Sequence, residues 1–281
     1  MDKKLLISKK TTYVVSYSIP INKTIPFEEL DKHLHTLPKL PDAIPYRTSY
    51  YKRDWGFCLS QMEYEQMNKD DSYQVIIDSS LHPGKLNYGE SIVKGTSDYE
   101  FLFSTYCCHP SMANDNLSGL VLWALLLRIL KNRKTFHSYR FIAVPETIGS
   151  IAYLHKNQNQ MKKIFGGFIL TCTGGPENFS YKQTYLENHL IDKIVLDTFK
   201  ELGIDPKIYP FDIRGSDERQ YSSPFFRIPI GTICKGKYHE YDYYHTSKDD
   251  LTFIDPENIV KTLFIYLKII DKLEKTKSFS K

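Results

Sequence analysis

The chain has 281 residues, 41% hydrophobic and 25% charged, an ordinary globular balance that excludes a disordered or low-complexity polymer. Its 37 basic and 33 acidic residues leave a formal charge of +4. The lysines are scattered among acids, so no nucleic-acid partner is expected.

Five cysteines without CxxC spacing fit neither a disulfide framework nor a cysteine-rich zinc site. The leading Met1-Asp2-Lys3-Lys4 opens only a short apolar stretch with no cleavage-like site. No segment approaches the roughly 20 apolar residues of a membrane span. The expectation is a cytoplasmic protein without a membrane partner.

Residues 1–96 carry short β-like pieces at 13–19, 73–78 and 91–94 among turn residues such as Pro38, Pro41, Pro45 and Pro83-Gly84. This predicts a small β-rich subdomain that lends a strand or two to the main sheet. From 97 to 281 the pattern changes. Glu100–Tyr106 reads as a buried strand, 117–130 as a buried helix and 140–144 as a second strand, and a helix begins over 149–155. A third strand is read at 167–172, helical spacing at 190–202, a strand at 228–234 and a last amphipathic helix at 256–273. Continuous apolar strands alternating with helices predict an α/β domain, its mixed, mostly parallel sheet covered by helices on both faces.

Such sheets hold ligands at the carboxyl ends of their strands. His109 lies just past one predicted strand, Glu146 just past another, and Asp115 precedes the helix between them. An imidazole and a carboxylate six positions apart on such a loop suit zinc, which leaves a position open for water at catalytic sites. On this segment alone His109 reads equally as a loop histidine and Asp115 as a helix cap. Glu146 can bind a metal or accept a proton from water, although acids at helix starts often only stabilise the helix. The run Tyr244-His245-Thr246-Ser247-Lys248-Asp249-Asp250 supplies a second histidine, with acids behind it to orient the imidazole. Residues 214–221, RGSDERQY, are either a surface turn or a patch that sets Asp217 and Arg219 toward a substrate.

In order, these pieces resemble the zinc aminopeptidases of the M28 type: a His near a strand end, Asp115-Asn116-Leu117-Ser118-Gly119, an acid at a strand end, Ser216-Asp217, and His245-Thr246-Ser247. A closer resemblance is to the DUF4910 or aminopeptidase-like branch, often noted near polysaccharide-biosynthesis genes. It rests on residues 41–46, PDAIPY, and 50–58, YYKRDWGFC, with the loop 108–114, CHPSMAN, and residues 215–221 and 245–251. The likeness runs from about Tyr13 to the end of the chain.

That resemblance implies a zinc-peptidase-like fold and zinc-dependent hydrolysis of a small peptide or amide, aminopeptidase-like. It assigns His109, Asp115 and His245 to the metal, Glu146 to the general base, and Arg53, Trp55, Asp217, Arg219 and Tyr244 to the substrate. The spacing from His109 to Asp115 is shorter than in M28 enzymes. A single acid follows Pro145 where those enzymes carry two, and Cys172-Thr173-Gly174-Gly175 stands where they place a further aspartate. One zinc is therefore expected, with two left open and Glu146 either base or ligand. Two rivals stay open: an amidohydrolase or deacylase acting on an amino-sugar or polysaccharide precursor, and a non-catalytic binding module on a decayed peptidase scaffold. Self-association is also left open.

Overall fold

The computed structural model describes residues 12–277, so the tetrapeptide at the N-terminus lies outside the described residues. The chain forms two compact units. The first gathers residues up to Lys85 together with Tyr243–Lys248, and the second holds Leu86–Asp242 and the chain from Asp249 onward.

In the first unit the elements are β1 (Thr12–Val14), β2 (Ile21–Pro26), α1 (Phe27–Asp31), β3 (Leu34–His35), β4 (Phe57–Leu59), α2 (Gln61–Glu65) and β5 (Ser72–Ile77). β2 and β5 pair antiparallel, Ile21 opposite Ile77 and Pro26 opposite Ser72. Strand alternation turns Tyr73, Val75 and Ile77 inward, where they pack with Ile25, Phe27, Leu30, Trp55 and Phe57. β4 is the middle of a three-stranded sheet, β1-β4-β3. The strand expected over 13–19 stops at Val14, and the chain turns at Tyr17, whose φ is +70°. Residues 243–248 run beside residues 44–46. Pro45 and Thr246 form a bridge, Tyr46 N donates to His245 O at 2.8 Å, and Ser247 N donates to Ile44 O at 2.8 Å.

The second unit continues with β6 (Gly89–Val93), β7 (Glu100–Tyr106), α3 (Gly119–Lys131), β8 (Ser138–Val144), α4 (Ile148–Lys156), α5 (Gln158–Met161) and β9 (Ile164–Leu170). It ends with β10 (Phe179–Lys182), α6 (Leu190–Glu201), β11 (Lys207–Tyr209), α7 (Glu218–Tyr221), β12 (Ile230–Lys235) and α8 (Pro256–Lys275). Seven strands make one sheet in the order β11-β10-β12-β9-β7-β8-β6. The pairs β10–β11, β12–β9, β7–β9 and β7–β8 are parallel, and β10–β12 and β6–β8 antiparallel. The fold is therefore α/β with a mixed, mostly parallel sheet.

Both faces of the sheet are covered, which is why its strands read as unbroken apolar runs. Every residue of β7 is buried. Phe101 and Phe103 pack in the layer that holds Leu122, Leu126 and Leu130 of α3 with Val195, Ile265 and Tyr266 from α6 and α8. Leu102 and Tyr106 pack in the opposite layer, with Tyr153, Leu154 and Met161 from α4 and α5. Trimming one of those α3 leucines to alanine would cost about 2–5 kcal/mol. By length and composition Ala113–Lys131 could cross a membrane, but here its leucines at fourfold spacing are buried against the sheet. α8 starts on Asp255, whose side chain accepts from Glu257 N at 2.9 Å, followed by Pro256, an arrangement that satisfies an otherwise unpaired amide at the helix start.

Candidate metal centre

β7 and β8 lie side by side in parallel, with Tyr106 opposite Val144 and Cys107 N donating to Val144 O at 3.0 Å. The residues that follow the two strands therefore emerge together. Two positions on, Glu146 N donates to Cys108 Sγ at 3.1 Å. The next side chain, His109, is only 5% exposed, and its Nε2 lies 3.7 Å from Glu146 Oε2 and 4.0 Å from Asp115 Oδ2. Ligands bonded to one tetrahedral zinc at about 2.0–2.2 Å stand roughly 3.4 Å apart. Each oxygen is thus near that spacing from the ring nitrogen, and nitrogen with carboxylate oxygen is a donor set that zinc accepts. The residues fit the ion.

Asp115 is fully buried in the turn Ala113–Ser118, where its peptide bond to Asn116 is cis. It does not cap α3. Ser118 holds the N-cap position without a side-chain cap, and Asp115 Oδ1 accepts from Tyr106 OH at 2.5 Å. Asp249, read in the sequence as an acid for the neighbouring histidine, spends both oxygens elsewhere. Oδ1 accepts from Asn114 N at 2.6 Å, and Oδ2 from Asp115 N at 3.0 Å and Tyr241 OH at 2.8 Å. Burial pushes the Asp249 carboxyl up, and those donors pull it back. Asn116 Nδ2 ties the turn to Thr105 Oγ1 and Tyr106 O, each at 3.0 Å. Gly119 lets α3 start this close to the end of β9, since a Cβ there would stand 2.3 Å from Leu170 O.

Glu146 Oε1 accepts from Ser216 Oγ at 2.5 Å. Burial raises its pKa, with the neighbouring His109 and Ser216 opposing that rise. Asp217 is fully buried, and its Oδ1 accepts from Thr147 N at 2.7 Å and Ser150 Oγ at 2.9 Å. It therefore sits at the first turn of α4, holding the residue after Glu146. Burial, and then the Glu146 charge, push the Asp217 carboxyl up to about 8. Beside it Glu218 and Lys182 form a buried ion pair of 2.8 Å. Ser216 N donates to both Glu218 oxygens at 3.0 Å, and Tyr238 OH donates to Oε1 at 3.0 Å. Arg219 is exposed and donates to the main-chain carbonyls of Asp212 and Ile213 at 2.9 and 2.6 Å.

In the first unit, the His245 ring stacks on Tyr244 with centroids 3.9 Å apart and meets the edge of Tyr46 at 5.4 Å. Trp55 is a core residue stacked on His33 at 3.7 Å, and Arg53 is exposed. The structure thus brings His109, Asp115, Glu146 and Asp217 together within the second unit, while Arg53, Trp55, Tyr244 and His245 belong to the first. Lys182 was not singled out from the sequence: a lysine carries no pattern of its own, and this one acts through Glu218, 36 positions away. A cavity of about 400 Å³ has His109 in its wall, with Tyr106, Met112, Leu117, Leu120 and Leu251.

The family described as "Domain of unknown function (DUF4910)" matches residues 7–276. A Clostridium acetobutylicum protein, described as "Putative polysaccharide biosynthesis protein with aminopeptidase-like domain", is 41% identical over 278 residues, 99% of this chain and 64% of that protein. The chain thus spans less than two thirds of that relative's length. A crystal structure of a "putative peptidase" from Clostridium acetobutylicum has a TM-score of 0.89 at 43% identity, covering 93% of this chain and 61% of the other. A zinc aminopeptidase from Bacillus subtilis has a TM-score of 0.65 at 15% identity, covering 96% and 80%. At that identity the likeness is one of fold.

Proposed function

Because the chain belongs to the DUF4910 family, with an aminopeptidase-like fold, we propose that it is a metal-dependent hydrolase of peptide or amide bonds that works with one zinc. The observation that carries this reading is the approach of His109 Nε2 to Asp115 Oδ2 and Glu146 Oε2, 4.0 and 3.7 Å, where two parallel strands end. In this reading His109, Asp115 and His245 hold the ion and Glu146 is the general base. A bound zinc supplies Lewis acidity toward a carbonyl and lowers the pKa of water toward about 7.

The protein's own groups supply the proton handling. Glu146 takes a proton at Oε2 and passes it to the leaving nitrogen. Ser216 holds Oε1, which fixes the rotation of the carboxylate, and burial makes that carboxylate a stronger acceptor than it is in water. Asp217 anchors Thr147 and so sets where the chain bearing Glu146 enters α4. In this reading Tyr244 remains a substrate contact, whereas Asp217 and Arg219 act on the loops around the base. The cavity beside His109 receives part of the substrate.

The description of the Clostridium acetobutylicum relative favours a second reading within the same chemistry, in which the amide is carried by an amino sugar. Aminoacyl-anilides tested beside N-acyl amino sugars separate the two. Metal analysis tests the shared premise: protein purified without added zinc is expected to hold about one zinc per chain, lost in His245→Ala. Less than about 0.2 zinc per chain, unchanged by reconstitution, would sink the hydrolase and favour a binding module.

A further inference from the structure

Cys108 takes no part in the proposed hydrolysis, yet its sulfur is built into the centre. Sγ lies 3.3 Å from His109 Nδ1 and accepts from Glu146 N at 3.1 Å. Cys108, His109 and Glu146 each offer a ligand atom within 4.8 Å of the other two. We propose that these three side chains form an alternative, thiol-containing metal site that takes thiophilic divalent cations, cadmium or excess zinc, and that its occupation stops hydrolysis by drawing on both His109 and Glu146 of the hydrolytic set. Only the inhibitory effect rests on the hydrolase reading. The site itself does not.

The geometry suits one ion. With Zn–S near 2.3 Å and Zn–N near 2.0–2.1 Å, a tetrahedral ion sets its sulfur and nitrogen ligands about 3.5 Å apart, against the 3.3 Å found between Sγ and Nδ1. Thiolate is a soft ligand, so the site selects zinc or cadmium over magnesium or calcium. The proposed hydrolytic set is made of imidazole and carboxylate alone, so sulfur distinguishes the two. On binding, a sulfur–metal bond forms and the thiol proton leaves to solvent, one per ion. The structure also supplies a control. Cys107 is adjacent and exposed but is not one of the three, while Cys58, Cys172 and Cys234 are buried in strands or strand ends.

The test is a cadmium titration of the full chain stripped of metal, followed by the ultraviolet sulfur-to-cadmium charge-transfer absorption. Cadmium bound to imidazole and carboxylate alone gives no such band. Wild type and Cys107→Ser are expected to show a band saturating at one thiolate per chain. Cys108→Ser and Cys108→Ala, checked for folding by far-ultraviolet circular dichroism, are expected to lose the band, because the sulfur that gives it is gone. A band that persists in both Cys108 variants, that disappears in Cys107→Ser, or that is absent from wild type overturns the site. In parallel, half-inhibition by excess zinc should need about tenfold more zinc in Cys108→Ser. A band in a chain that cleaves no amide refutes the hydrolase and leaves the site standing. Cleavage without a band does the reverse.

Discussion

Asp249 lies outside the proposed ligand set but holds the main chain that carries Asp115, and Asp249→Asn isolates that role. The carboxylate receives three donors: Asn114 N at 2.6 Å, Asp115 N at 3.0 Å and Tyr241 OH at 2.8 Å. An asparagine offers one oxygen to these three. The less costly rotamer keeps that oxygen on Asp115 N and Tyr241 OH and turns its NH2 against the Asn114 amide. One hydrogen bond to a charged acceptor, about 1.5–3 kcal/mol, is then lost, and a buried donor is left unsatisfied at about 1–3 kcal/mol. Relief of the carboxylate's own burial returns part of this, so the expected loss is about 2–4 kcal/mol. That is a large fraction of the ~5–15 kcal/mol that holds a typical protein folded.

The chain has two tryptophans, Trp55 in the first unit and Trp123 in the second. Trp123, on α3, meets Phe141 of β8 at 5.8 Å. In a Trp55→Phe background, urea unfolding followed by fluorescence therefore reports the second unit alone. Zinc affinity, measured by competition with a chelating dye, should fall about 10–100-fold because Asp115 loses its support. A stability loss under about 1 kcal/mol would refute the hydrogen-bond argument. A full loss of stability with unchanged zinc affinity would refute the link to Asp115.

Glu146→Gln should lower hydrolysis by about 10²–10⁴-fold while zinc content holds; loss of the metal together with activity would make Glu146 a ligand instead. Asp217 has a folded-state pKa raised to about 8 from 3.8, so its contribution to stability is whole below the unfolded value and falls as pH climbs toward 8. Asp217→Asn should therefore gain on wild type as pH rises from 5 to 8, by about 4 kcal/mol for one such group, and thermal melts of the metal-free protein at each pH that ran parallel would disprove it. Lys182→Met strands the buried Glu218 carboxylate and should cost about 3–5 kcal/mol, read by the same urea assay. A smaller loss would mean that Ser216 N and Tyr238 OH suffice to satisfy that charge.

The parts of the fold that were legible are those whose burial leaves an unbroken signal. Glu100–Tyr106 was read to the residue because every position of this fully buried strand after Glu100 is uncharged. α8 was read from its proline start and apolar stripe, although it runs two residues past the expected end, to Lys275. The helix read from 117 instead begins at Gly119, because Asp115 and Asn116 leave helical geometry, with φ/ψ of −112°/76° and −149°/31°. β10 and β11 went unread: they are short and carry Lys182 and Lys207, which look like surface residues. The burial of Lys182 is intelligible only with Glu218, 36 positions away. In the candidate centre, His109 and Glu146 stood out because each directly follows a strand. The roles of Ser216, Asp249 and Cys108 were not legible, since each is set by the carboxylate, amide or ring nitrogen that the side chain meets.

The short segment 243–248 has a bearing on any attempt to cut this molecule into pieces. By its contacts it belongs with the first unit, yet it is spelled out within the sequence of the second. A fragment beginning at residue 86 would keep every strand of the seven-stranded sheet and the codon for His245. It would lose Ile44, Pro45 and Tyr46, whose main chain fixes the backbone around that histidine. In the proposed ligand set such a fragment lacks the support of one ligand, so an inactive truncation would say nothing against the chemistry of the whole chain.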